Sequence, residues 1–140
     1  MRIGALLVAE DLIGRESHFG PLQVTADMVA AYARAAGEDA FEGESGEVPA
    51  LFCLTLRRDM MPDVPLPHEL FGVYGGHDLE LLQPIRVGGV YHSTARIVDV
   101  YAKSGRSGLL TVVVREVVIR DGNDTVVARI IERQIVRRKQ

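Results

Sequence analysis

Two sets of side chains stand out as candidates for moving protons, a run of carboxylates and the four histidines. The run begins with Glu38 and Asp39, and its other members are Glu42, Glu44 and Glu47. Among the histidines, His77 stands out because the preceding Gly75 and Gly76 would let a ligand or another backbone come close. Acid–base catalysis needs such groups within reach of the reacting atoms. Glu38, Asp39 and His77 are therefore the candidate catalytic residues, with Gly75 and Gly76 as candidate binding residues.

Each of these candidates also has a purely structural interpretation. The carboxylates can form an exposed acidic loop in which the glycines among them act as hinges. His77 can be a structural or tunnel-lining residue, and adjacency does not pair it with Asp78, since neighbouring strand residues point to opposite faces. Cys53 stands between Phe52 and Leu54 and is predicted to be a core residue rather than a nucleophile. The remaining histidines are predicted to lie at the surface: His18, His68 and His92.

Composition and missing motifs exclude several classes of protein. The chain has 140 residues, enough for a single domain over 1–140, and its net charge of −3 argues against nucleic-acid binding. No stretch approaches the roughly 20 apolar residues of a membrane helix, so no membrane span is expected. The single cysteine excludes an internal disulfide and fits a reducing compartment, so a cytoplasmic protein is expected. Motifs of serine hydrolases, nucleotide loops and metal sites are absent.

One helix is predicted early in the chain, over residues 26–36. Thr25 is a good N-cap, and Gly37 can take the left-handed conformation that ends a helix. Apolar residues cover one face and alanines most of the other, which is typical of a buried helix. We therefore expect other elements to wrap this helix. A second, shorter helix is predicted over 50–61, although the alternation of apolar residues there also fits a strand.

Four long segments rich in Val, Ile, Tyr and Thr are predicted to be strands: 70–83, 90–103, 109–120 and 124–137. The turns between them are too short for crossover helices, so we expect an antiparallel meander, with a further strand near 19–25. The third segment is apolar on both faces, and its outer face is expected to meet a second body or a partner. The sequence thus predicts an α+β fold in which a long, curved antiparallel sheet wraps around one central helix.

Several short pieces occur in a recognisable order: Ile13-Gly14-Arg15-Glu16, Val24-Thr25, Tyr32-Ala33-x-Ala35-x-Gly37, Val48-Pro49-Ala50-Leu51-Phe52, and the stretches 79–89 and 99–108. In order and spacing they resemble MaoC-like hydratase/dehydratase domains, in particular the N-terminal dehydratase domain, over about the whole chain. The resemblance implies a hot-dog fold and a lyase of fatty acid metabolism. Such enzymes add or remove water between 2-enoyl and (R)-3-hydroxyacyl groups, which are carried as acyl-CoA or acyl-carrier-protein thioesters. It implies no cofactor beyond the coenzyme A or phosphopantetheine of the substrate.

The resemblance also implies where the site should lie. Two hot-dog units pair so that a pantetheine tunnel runs between them, so a homodimer or heterodimer is expected. A helix that begins at Pro49 and Ala50 would polarise the thioester carbonyl with its free N–H groups. Lys103 and Arg106 can meet the phosphates of coenzyme A.

One departure from the family pattern concerns the chemistry itself. Catalytic members carry Asp-x-Asn-Pro-x-His directly after the buried helix, whereas this chain has Glu38-Asp39-Ala40-Phe41-Glu42-Gly43 there. An acidic residue is kept, but the Asn, the Pro and the His are not. The leading interpretation is therefore a catalytically incomplete, substrate-binding subunit of a heterodimeric hydratase/dehydratase. The alternatives are a self-sufficient homodimer that uses Glu38 or Asp39 with His77, a non-enzymatic acyl-CoA-binding module, and a thioesterase.

Overall fold

Five strands and one α-helix carry the fold, which a computed structural model describes for residues 6–37, 48–57, 61–106 and 108–140. In chain order these elements are β1 (Glu16–Gln23), α1 (Ala26–Ala36), β2 (Leu70–Leu81), β3 (Val90–Gly105), β4 (Gly108–Asp121) and β5 (Val126–Arg138). Two 3-10 helices, Glu10–Leu12 and Ala50–Leu56, accompany them. The α+β class is confirmed, and the strand expected near 19–25 is β1, which begins earlier.

The five strands form one antiparallel sheet in the order β1-β3-β4-β5-β2. β3, β4 and β5 are successive neighbours, as predicted, but β2 pairs with β5 instead of β3. The predicted four-strand meander is therefore wrong for its first strand. The connection 82–89 crosses to the other edge, with the Leu82 N–H donating to Val127 O at 2.8 Å and the Gly88 N–H to Val24 O at 2.7 Å. Three strand spacings of ~4.8 Å separate β2 from β3 in the sheet, and eight extended residues reach about 26 Å, which is more than enough to span them. A short connection therefore did not require a hairpin.

The turn between β4 and β5 is the hairpin that Asp121-Gly122-Asn123 predicts. The Asp121 carboxylate accepts the N–H groups of Asn123 and Thr125 at 2.9 and 3.0 Å. Asp124 has a φ of 64°, the left-handed conformation that such a turn requires.

The predicted caps of α1 are both present. The Thr25 side chain accepts the Met28 N–H at 3.2 Å, and Gly37 ends the helix with a φ of 74°. The helix is not wrapped on all sides, however: Val29 and Ala33 are buried against the sheet, whereas Ala31 and Ala35 are exposed. The sheet does pack on the helix, as predicted, but within this one chain it covers a single helical face. An alanine face offers little apolar area, so its exposure costs little free energy.

Both helices that follow β1 lie on one face of the sheet, called the inner face below. The larger core joins Val29 of α1 and Phe52, Cys53 and Leu56 of the 3-10 helix to the sheet, whose contributing residues include Ala95, Val117, Ile119, Ala128 and Ile130. A second core lies toward the other end of the strands and includes Leu12, Leu70, Ile97, Val100, Val113 and Val136. On the inner face of the edge strand β2, Leu70 joins the second core and Leu79 packs against the larger one, whereas Tyr74 between them is exposed at the rim of the sheet.

Candidate functional site

The glycine pair before His77 creates a β-bulge in the edge strand β2. The register with β5 shifts between Tyr74 and His77, so Tyr74 lies opposite Gln134 and His77 opposite Glu132. Residues three apart in a regular strand point to opposite faces, but the bulge turns both of these side chains to the inner face. Tyr74 Oη and His77 Nδ1 are hydrogen-bonded, and the two ring centroids are 5.9 Å apart.

Both glycines are needed for this geometry. A Cβ at Gly75 would lie 2.9 Å from Ile135 Cγ1 and 3.1 Å from the Arg133 carbonyl oxygen, and Gly76 has a φ of +103°. The predicted close approach of another backbone is confirmed at Gly75, where the approaching group is strand β5, whereas the binding role of the pair stays a prediction.

Asp78 is not a partner of His77, as the alternation of the strand predicts. Its carboxylate accepts a hydrogen bond from Arg133 Nη2 at 2.6 Å. That contact holds the pKa of Arg133 above its usual value, through the hydrogen bond and the nearby negative charge. Asp78 therefore serves an exposed ion pair beside the bulge.

A network of buried polar side chains lies on the inner face next to this pair. Glu132, 2% exposed, forms an ion pair with Arg57 at the end of the second 3-10 helix. Arg115 is 1% exposed; its Nε donates to the Pro62 carbonyl at 3.0 Å and its Nη2 to Gln134 Oε1 at 2.8 Å. Burial lowers the pKa of Arg115, and the negative charges of Glu132 and Asp63 oppose that shift. The network ties the chain after the 3-10 helix to β4 and β5.

The predicted helix at Pro49 and Ala50 is a 3-10 helix that ends at Leu56, so the prediction of a helix reaching residue 61 is wrong. Pro49 is its N-cap and accepts the Phe52 N–H at 2.9 Å. The helix start borders a hollow of about 260 Å³ whose other wall is the end of β2, with Leu81 and Leu82. The apolar alternation that also suggested a strand here reflects the buried side of a short, tight helix.

An apolar groove runs between α1 and this 3-10 helix. It measures about 370 Å³ and is lined by Met28, Ala31, Tyr32, Phe52 and Thr55. The rings of Tyr32 and Phe52 meet edge to face, with centroids 5.6 Å apart, at its base. The groove is open to solvent on the exposed side of α1.

The remaining predicted residues are not brought to this region. Lys103 and Arg106 are exposed at the β3–β4 hairpin, at the end of the sheet where β2 begins, whereas Pro49 and Ala50 border the end of β2. The candidate phosphate and carbonyl sites are thus at opposite ends of the sheet. Glu38 and Asp39 lie outside the described residues.

The other histidines and the cysteine have structural surroundings. The His18 ring is hydrogen-bonded to Thr94 Oγ1 at 3.1 Å, His92 Nε2 lies 3.4 Å from an Asp124 carboxylate oxygen, and His68 is exposed. Cys53 is fully buried, and that burial raises the pKa of its thiol to about 11. Its place in the larger core confirms the prediction that Cys53 is a core residue. Because so little thiolate forms near neutral pH, it is also a poor nucleophile.

Over the described ranges, no group of three or more His, Cys, Asp or Glu side chains is arranged to hold a metal ion. In the same part of the chain, no helix combines the length and the apolar character needed to cross a membrane.

The fold is shared with solved structures of low sequence identity. A MaoC-like dehydratase from Rhodospirillum rubrum is 17% identical, with a TM-score of 0.61 over 98% of this chain and 99% of that one. The (R)-hydratase from A. caviae is 15% identical, with a TM-score of 0.63 over 91% and 96% of the two chains. The HadBC (3R-hydroxyacyl-ACP dehydratase) complex from Mycobacterium tuberculosis is 15% identical, with a TM-score of 0.66 over 89% and 97%. No curated protein sequence matches this chain.

A family model decides the relationship. The model of the FAS1-like dehydratase domain region matches residues 47–130, more than half of the chain. The chain belongs to the family of FAS1-like dehydratase domains, with the hot-dog fold of the MaoC-like dehydratase and the (R)-hydratase. The predicted resemblance and the predicted hot-dog fold are both confirmed.

Sequence reasoning missed the buried polar residues on the inner face of the sheet. Arg115 and Glu132 each occupy a position of a period-2 series that is otherwise mostly apolar, between Val113 and Val117 and after Ile130. The available signal was a charged residue among the alternate strand positions that face the core. Tyr74 was missed because its contact with His77 depends on the bulge.

Proposed function

We propose that this chain is a unit of an acyl-thioester hydratase/dehydratase that acts on 2-enoyl and (R)-3-hydroxyacyl groups. The observation that carries the proposal is the match of residues 47–130 to the dehydratase family model. Solved hydratases and dehydratases with the same fold support it. The substrate would bring its own coenzyme A or phosphopantetheine, and no other cofactor is needed for adding water.

A second hot-dog subunit forms part of the proposal. Strand β2 is at the edge of the sheet and carries exposed apolar side chains, among them Val73, Tyr74 and Leu81 at 41%, 48% and 37%. The outer side of α1 is exposed as well, and the groove beside it is open. A subunit docked at this edge would cover all three features. The HadBC dehydratase, whose fold this chain shares, is itself a complex.

The groove between α1 and the 3-10 helix is the proposed site for the acyl chain. Its lining is apolar, apart from the hydroxyl groups of Tyr32 and Thr55. Its volume of about 370 Å³ is at the small end of ligand pockets, which favours short acyl chains. The hollow at Pro49 and Ala50 would take the thioester end. The phosphate role of Lys103 and Arg106, which lie at the opposite end of the sheet, stays a separate prediction.

The chain is proposed to be the substrate-binding subunit, with a different hot-dog subunit completing the site. The stretch 38–43 lacks the histidine that catalytic members of the family carry after the helix. The proposal puts the protein in the cytoplasm, since its single cysteine is unpaired, as is usual in reducing compartments.

The test compares the chain alone with the chain co-purified with a hot-dog protein from a neighbouring gene that has the intact Asp-x-Asn-Pro-x-His stretch. Hydration of crotonyl-CoA is followed by the loss of enoyl-thioester absorbance. We expect the pair to hydrate crotonyl-CoA at least tenfold faster than either chain alone. Strong activity of the lone chain that survives the E38A/D39A double substitution would contradict the subunit role. Saturable binding of crotonyl-CoA without turnover in any combination would instead select a non-enzymatic binding module.

A further inference from the structure

The bulge in β2 has one chemical effect: it places a phenol and an imidazole side by side on the inner face. Without the inserted residue, Tyr74 and His77 would point to opposite sides of the sheet. With it, Tyr74 Oη and His77 Nδ1 are hydrogen-bonded at the rim of the inner face. β-bulges often re-aim side chains beside active sites. This bulge depends on Gly75, where β5 leaves too little room for a Cβ, and on Gly76, which has a φ of +103°.

The surroundings of this pair differ from those of the exposed His18 and His68. His77 is half-buried, and its register partner is the buried Glu132, which is ion-paired with Arg57. The imidazole thus lies on a residue opposite an ion-paired carboxylate of β5 and is bonded to a phenol on its own strand. By contrast, the side chain of His18 is 72% exposed. Because the bond to Tyr74 uses Nδ1, Nε2 is the nitrogen that can meet a substrate.

We propose that His77 is a catalytic residue of this chain and that Tyr74 is its positioning residue. The inference rests on the proposed function, because an acyl thioester must lie at the β2 edge under a second subunit. The Nδ1–H of His77 donates to Tyr74 Oη, which fixes the tautomer and leaves the Nε2 lone pair as the base. This chain then contributes a proton-transfer group that the stretch 38–43 does not supply through a histidine.

The hydration step balances with this one group, and the histidine stretch of the second subunit would then hold the substrate and polarise its carbonyl rather than move the proton. His77 Nε2 takes a proton from water as the water oxygen bonds to C3 of the 2-enoyl thioester. The C2=C3 π electrons move toward the thioester carbonyl, and the imidazolium then gives its proton to C2. One O–H bond and one π bond break, C3–O and C2–H bonds form, and His77 returns to its starting protonation state.

The test uses the co-purified pair that hydrates crotonyl-CoA, with substitutions in this chain only. H77Q removes proton transfer but keeps a polar side chain, and we expect kcat to fall about 10²–10⁴-fold with little change in KM. H18Q is the matched control, because His18 lies on the opposite edge strand, and its kcat should stay within about twofold. Y74F should lower kcat roughly tenfold with little change in KM. Each variant is checked for an unchanged melting temperature.

Nitrogen NMR of the imidazole gives a readout independent of folding defects and turnover. In the wild-type chain we expect the proton of His77 on Nδ1, and in Y74F a shift toward the other tautomer. An H77Q pair that keeps more than a third of the wild-type kcat overturns the catalytic role and leaves the proposed function standing. Absence of turnover in every combination overturns both proposals. An unchanged tautomer in Y74F overturns the role of Tyr74.

Discussion

At the scale of single residues, the inner-face network shows how a strand can bury charge. Glu132 meets Arg57 on one side, and the guanidinium of Arg115 is held nearby by Pro62 and Gln134. Two cations and one carboxylate in a dry region are tolerated because each makes contacts that replace part of its lost hydration. Without the charge of Glu132, the guanidinium groups of Arg57 and Arg115 would repel each other with no carboxylate between their charges to offset it.

Glu132→Gln should therefore be strongly destabilising. The substitution keeps the size of the side chain and removes its charge, which leaves Arg57 without its buried partner. Breaking a buried ion pair from one side costs about 3–5 kcal/mol, and we expect a loss of that order in the free energy of unfolding in urea. Glu80→Gln, at an exposed glutamate of β2, is the control and should change it by less than about 0.5 kcal/mol. A loss below about 1 kcal/mol in the Glu132 variant would contradict this view of the network.

At the scale of elements, the sequence predicted what is local and failed where the partner is distant. The caps at Thr25 and Gly37 and the turn at Asp121 were predictable because side chain and backbone within a few residues decide them. The pairing of β2 with β5 was not predictable. The lengths of the strands and of the turn do not tell whether a strand pairs with the next strand in sequence or with one across the sheet. The network around Glu132 was hidden for the same reason, because its members come from three separate elements.

The end of α1 gives a prediction at this scale. Gly37 has a φ of 74° and open space where a Cβ would stand, so Gly37→Ala tests backbone conformation alone. A left-handed alanine costs about 1–2 kcal/mol, and we expect the free energy of unfolding to fall by that amount. Gly122 also has open space but no positive φ, so Gly122→Ala is the matched control and should change little. Equal effects of the two substitutions would contradict the assigned helix end.

At the scale of the whole molecule, the two edges of the sheet differ in what they offer another chain. β1 carries Pro21, which has no N–H to donate, together with polar side chains such as Glu16. Along Leu70–Tyr74, β2 has neither a proline nor a charged side chain, and its side chains Val73 and Tyr74 are exposed. An unprotected apolar edge favours pairing with a further strand, whereas proline and charge discourage it. Docking of a second hot-dog subunit is therefore expected at β2.

Two exposed valines test this asymmetry. Val73 on the edge strand β2 is 41% exposed, and Val98 on the interior strand β3 is 39% exposed. A lysine at an edge strand opposes strand pairing. Whether the partner is a different hot-dog chain or a second copy, Val73→Lys should therefore shift the assembly toward single subunits, as measured by sedimentation velocity. Val98→Lys adds the same charge away from the edge and should sediment like the wild type, with both variants melting at similar temperatures. An assembly unaffected by Val73→Lys would mean that the second subunit docks elsewhere, and the rim that holds Tyr74 and His77 would then stay open to water.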